Sequence, residues 1–158
     1  MTTKIILFFA LLMYSIIVSQ SFMYILALKN AQLGLDINSY IEVRKLIDAS
    51  MRSNFKYIIY GALISNLLLV IFTFKNPGSL LFITACIGFI ALVADTLLTV
   101  KGSLPINDII NTWSADQYPS NWADVRAKWF NVYQYRQIAN IVGFVSLMTG
   151  VVFGKQNS

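Results

Sequence analysis

Residues 80–100 read LLFITACIGFIALVADTLLTV, with a single charge, Asp95. About 20 apolar residues cross the hydrocarbon core of a bilayer as a helix, so this stretch predicts a membrane span. The turn before it, Lys75-Asn76-Pro77-Gly78, is built from breaker residues. Before the turn lies a second apolar run, Tyr57 to Phe74, with Asn66 near its centre. Two spans joined by a tight turn form an antiparallel hairpin. An acid inside a span is costly in lipid and marks a functional position by default.

Two more spans follow from the same reading. Ile5 to Leu28 carries no charge. It is too long for the apolar region of a signal peptide, and no small-x-small cleavage site follows it, so it predicts a retained first span. No helix breaker lies between Trp122 and Gly143. One long helix from about Trp122 to Phe153 is therefore expected, its first turns outside the bilayer and residues 130–153 inside. The predicted class is an all-α, four-helix transmembrane bundle in one domain over residues 1–158. Its spans are 5–28, 57–74, 80–100 and 130–153, with amphipathic or interfacial helices in the polar connections 29–56 and 101–129.

Those connections carry recognisable signals. Ser39-x-x-Glu42 reads as a capping box. Arg44 and Asp48 are an i,i+4 pair on the helix it opens. In the second connection Ser103 is placed as a cap and Pro105 in the first turn of a short helix, with Asn121 as the next cap.

Composition agrees. Of 158 residues, 57% are hydrophobic and 12% charged, and the mean hydropathy is +0.65. Soluble domains are about 45–50% apolar and about 25% charged. The chain has no histidine. That excludes Ser-His-Asp catalysis, histidine-ligated haem and nearly all catalytic zinc sites, so neither metal nor cofactor is expected. A single cysteine, Cys86, excludes an internal disulfide. The net charge of +5 does not call for nucleic acid, because the basic residues flank oily segments. Lys29, Arg44, Lys45, Arg52, Lys56, Lys101, Arg126, Lys128 and Arg136 fall on the side of the polar connections. Lys4, Lys75 and Lys155 fall on the other. Nine against three predicts cytoplasmic connections and outside termini.

The chemistry concentrates in residues 104–140, LPINDIINTWSADQYPSNWADVRAKWFNVYQYRQIAN. All three tryptophans are here: Trp113, Trp122 and Trp129. Arg126, Trp129, Tyr133, Arg136 and Asn140 recur every three or four residues, along one helix face. Arg136 and Asp95 enter their spans from the same side, and pairing them avoids two isolated charges in lipid. Gln20 and Gln137 fall on that side too. The expected site is a pocket among Gln20, Asp95, Tyr133, Arg136, Gln137 and Asn140, with the tryptophans as its mouth. Such a mixture suits a flat aromatic or anionic ligand, held by stacking, cation–π contact and hydrogen bonds, and the pocket is expected to take a small hydrophobic or aromatic molecule.

Pro105-Ile106-Asn107 after the third span, followed by Trp113, Trp122, Arg126, Trp129 and Arg136, resembles the anthrone oxygenase-like family of small four-helix membrane proteins. That resemblance implies a cofactor-independent oxidation of a small aromatic substrate by O2. Arg136 and Tyr133 would be donors to a developing oxyanion, and Trp129 or Trp122 would wall the aromatic slot. The sequence departs from the pattern twice. Gln134 stands where the family carries a histidine, and Ser103 where it carries an asparagine. Glutamine is no general base, so no catalytic residue is assigned, and Asn107 and Gln134 enter the site as ligand-binding candidates only.

Overall fold

The computed structural model describes residues 2–154 of the chain. Lys155, counted above among the terminal charges, lies outside them. Four helices form the fold: α1 (Thr2–Leu33), α2 (Ile37–Thr73), α3 (Leu80–Asn111) and α4 (Trp122–Phe153). Each is long and apolar enough to cross a membrane. The backbone groups of a helix are satisfied within it, which is what crossing lipid requires. The chain is thus an integral, multi-pass membrane protein built as a four-helix bundle.

The helices form a ring in which α1 packs on α2 and α4, and α3 packs on α2 and α4. Phe8, Leu26, Ile64, Ile90 and Val152 point outward, toward lipid. Inside, small residues let the backbones approach. Gly88 and Gly143 face each other across α3 and α4, and the ring of Tyr14 fills the space between them. Its hydroxyl donates to Gly88 O at 3.4 Å. Asn66, fully buried in α2, donates to Ala62 O of its own helix at 2.9 Å.

The helices expected in both polar connections are present, and each runs on from a span. Residues 37–50 continue into the span of α2 through a π turn, Met51–Phe55. Residues 104–111 continue α3 through another, Thr99–Ser103. A third, Tyr24–Leu28, interrupts α1. In α3 the cause is local. Pro105 has no N–H for the carbonyl four residues back, and its ring crowds that carbonyl. The wider turn upstream relieves both. No proline adjoins the other two π turns.

Three expected caps are not formed. Asp36, not Ser39, opens α2. Its carboxylate accepts from the N–H of Asn38 (2.9 Å) and Ser39 (3.2 Å), and from the Ser39 hydroxyl (2.6 Å). These bonds, the Ser39 hydroxyl's foremost, hold Asp36 below the ordinary carboxylate range. Ser103 lies inside α3, so no terminus needs it. Asn121 precedes α4 without a side-chain bond to it.

Two apolar clusters stack along the bundle. One lies in the membrane half, around Tyr14, Ile17, Leu69, Leu92 and Leu147. The other lies at the polar end, around Tyr24, Tyr40, Ile110, Trp113 and Trp129. Between them runs a band of polar side chains from all four helices. A Cβ on Gly143 would overlap the Tyr14 hydroxyl and come within 2.7 Å of Ala91 Cβ, whereas one on Gly78 meets nothing within 4 Å. Gly143→Ala should therefore cost about 1–3 kcal/mol and Gly78→Ala less than about 0.5 kcal/mol, as read by thermal unfolding in detergent.

Candidate functional site

The polar band begins at the ion pair. Arg136 Nε donates to Asp95 Oδ1 at 2.7 Å, and Arg136 Nη1 donates to Ser103 Oγ at 3.2 Å. Asp95 is fully buried and its Oδ2 has no partner among the described residues. Truncating one member of such a pair would leave a bare charge in a medium of low dielectric.

Above the pair lies a network between α2 and α3. Asp48 accepts from Asn107 Nδ2 (2.7 Å), Asn111 Nδ2 (2.8 Å) and Arg52 Nε (2.8 Å). Arg52 Nη2 also donates to Asp108 at 2.7 Å. Burial opposes the Arg52 charge, but Asp108 and Asp48 outweigh it and raise the pKa of the guanidinium further. The Arg44–Asp48 pair expected from spacing is not formed. Arg44 donates instead to Asn107 Oδ1 (2.8 Å) and to the Tyr24 hydroxyl (3.3 Å). The amides of α3 stand where a direct pair along α2 would have closed.

An aromatic wall completes the band. Trp129 and Tyr133 stack with centroids 5.0 Å apart and planes within 10°. Tyr24 lies 4.4 Å from Tyr133. The Arg44 guanidinium sits over the Trp129 ring at 3.9 Å, a cation–π contact worth about 2 kcal/mol when desolvated.

These groups line a half-open cavity of about 320 Å³, at the small end of the roughly 300–1,000 Å³ of ligand sites. Its upper wall is Arg44, Asp48 and Asn107, and its back wall Trp129, Tyr133 and Arg136. Below these lie Phe55 and Ile59 from α2 and Thr96 and Val100 from α3. α2 and α3 pack against each other on both sides of it, along 37–50 with 104–111 and along 56–73 with 80–98. The π turns of α2 and α3 lie between these two packed zones and line the cavity, with Tyr24 of the third beside them. Such turns recur at functional sites.

The expected residues divide into four groups. Gln20, Asn107, Trp129, Tyr133 and Arg136 line the cavity, and Asp95 sits behind Arg136. Gln20 Nε2 donates to Met51 Sδ at 3.6 Å. Trp113 and Trp122 are not its mouth. Trp113 is buried in the upper cluster and accepts from Lys45 through its carbonyl, while Trp122 packs on Tyr40. They roof the bundle. Burial raises the Tyr40 hydroxyl's pKa, against the opposing pull of Arg44 and Arg126. Arg126 stacks on Trp122 at 4.6 Å and donates to the carbonyls of Gln32 and Leu33, so it caps the end of α1. Gln134 and Gln137 face a separate groove between α1 and α4, where Gln137 donates to Ser21 O. Asn140 is buried and lines neither space.

Sequence reasoning missed Arg44, Asp48 and Arg52 as site residues. A signal was present. Their spacing of four puts all three on one face of α2, and Asn107 and Asn111 repeat that spacing on α3.

Arg136→Gln should cost about 3–5 kcal/mol by stranding Asp95. The double change Asp95→Asn with Arg136→Gln should cost clearly less than the two single changes added together. Thermal unfolding in one detergent checks both. No protein-family model matches the chain, and no curated protein or solved structure matches it, so function is read from the site itself.

Proposed function

We propose that this membrane protein binds a small hydrophobic or aromatic molecule in the cavity between α2 and α3. The observation that carries the reading is the stacked Trp129–Tyr133 pair, which lines a space of about 320 Å³ together with Phe55 and Ile59. A flat or oily molecule there gains stacking and apolar burial, while Gln20, Asn107 and Arg136 fix its orientation. The cavity lies at the depth where spans give way to polar helices, so an oil-soluble ligand reaches it from the bilayer.

A second reading is a cofactor-independent oxygenase acting on a small aromatic substrate. It is favoured by Tyr133, Arg136 and Trp129 lining one cavity, since the family resemblance gives these residues the oxyanion donors and the slot wall. A base is the missing part. Asp95 is committed to Arg136 and Asp48 to three donors. Gln134 faces the other groove. Binding without turnover is therefore the preferred function.

Thermal-shift titration of the detergent-solubilised protein with a panel of anthrones and hydroquinones tests the binding. Saturable stabilisation by panel members is expected, and its loss in Ile59→Trp, which fills the cavity. Stabilisation that persists in Ile59→Trp would place the ligand elsewhere. An oxygen electrode separates the two readings: consumption above a protein-free control would make the protein an enzyme.

The proposed orientation has cytoplasmic polar connections and outside termini, supported by the lysine and arginine asymmetry. In a Cys86→Ser background, an impermeant maleimide applied to intact cells should label Gly78→Cys and spare Ser120→Cys. The opposite pattern inverts the topology.

A further inference from the structure

We infer that the ligand of this cavity is an anionic amphiphile, an apolar body carrying a carboxylate or phosphate, whose charged end is received by Arg44. The inference rests on reading the cavity as a ligand site and adds the class of molecule that fits it.

The wall of the cavity carries four cationic side chains, Arg44, Arg52, Lys56 and Arg136, against one carboxylate, Asp48. Two of the cations are already answered, Arg136 by Asp95 and Arg52 by Asp48 and Asp108, and a third, Lys56, is exposed to its surroundings. Arg44 is neither. It is only 3% exposed, and among the described residues it forms no salt bridge. Its partners are a tyrosine hydroxyl, an amide oxygen and the face of Trp129. Among the same residues its Nε has no acceptor, and neither does Nε1 of Trp129 beneath it. Asp48, one turn away, already accepts from three donors. A buried guanidinium without a carboxylate is an expensive arrangement that an anion in the cavity would relieve.

The wall also changes character along its length. From Arg44 to Ile59 is 15 residues, about 22 Å of helix at 1.5 Å per residue. The Arg44 end is polar. The Ile59 end is largely apolar, with Phe55, Thr96 and Val100 around it, and its one charged side chain, Lys56, is exposed rather than buried. At that end Tyr60 and Val100 are exposed on the outer face of α2 and α3, where lipid lies. A molecule entering sideways from the leaflet would leave its apolar part near Ile59 and bring its anionic end to Arg44. A free inorganic anion would use only the upper half.

Matched ligands test this on the whole protein in nanodiscs of neutral phosphatidylcholine. Dodecanoate, dodecyl phosphate, dodecanol and inorganic phosphate would be titrated by thermal shift. At least one charged amphiphile should bind the wild type about ten-fold or more tighter than dodecanol, since hydrogen bonds to a charged group are the strong ones. Arg44→Gln should erase that preference and Arg44→Lys should keep part of it. Equal binding of acid, phosphate ester and alcohol by the wild type overturns the inference without needing any variant to fold. So does a preference that survives Arg44→Gln, or inorganic phosphate binding as tightly as the amphiphiles. If the dodecyl ligands fail while neutral aromatics still bind, the anionic class is wrong and the cavity reading stands. If no ligand binds, both fall.

Discussion

A charge inside a bilayer must be answered by another charge or by a polar partner, and in this bundle Asp95 and Arg136 answer each other. Their 2.7 Å contact ties the third helix to the fourth at the depth where both leave the membrane interior. Below that level the buried polar groups are mostly hydroxyls and an amide that bond within their own helices, joined by the Tyr14 hydroxyl, which reaches Gly88 O on α3, and by Asn140. The apolar cluster below is closed by glycines and a tyrosine. The cluster above is closed by tryptophans and arginine caps. The cavity lies between them, where neither kind of packing prevails.

The π turns explain how a gap is sustained in a bundle otherwise packed through small residues. One extra residue in a turn rotates and displaces the face that follows it. Three helices carry such a turn at nearly the same level, so their polar extensions are out of register with their spans. In α3 Pro105 gives the reason. In α1 and α2 the turns coincide with Tyr24 and Met51 in the cavity wall. Local regularity given up at one level, with no covalent cause in two of three cases, fits a region shaped for a purpose beyond folding.

Much of this was legible in the chain. The four long apolar helices, the Lys75–Gly78 turn and the unbroken last helix follow from hydropathy and breakers. The Asp95–Arg136 pair follows from two isolated charges entering from one side. Short-range rules failed where tertiary partners outbid them. Arg44 and Asp48 are spaced to pair, yet Asn107 and Asn111 from another helix take up their hydrogen bonds. Ser39 has the capping-box spacing, yet Asp36 is a stronger acceptor three residues earlier. Trp113 and Trp122 read from the sequence as the mouth of the pocket, but the loop between α3 and α4 folds them inward as a roof. The π turns of α1 and α2 have no sequence mark at all.

The central claim is that the polar side chains of the bundle meet inside it, beginning with the buried pair. Solid-state NMR on the protein in lipid bilayers measures this directly, through the dipolar coupling between Asp95 Cγ and Arg136 Nε. A 2.7 Å N–O contact places those nuclei within about 4 Å. A coupling of that strength is the predicted result. A separation beyond about 6 Å, past the range of strong charge–charge influence, would mean the two charges find other partners, and the cavity between the helices would lose part of its back wall.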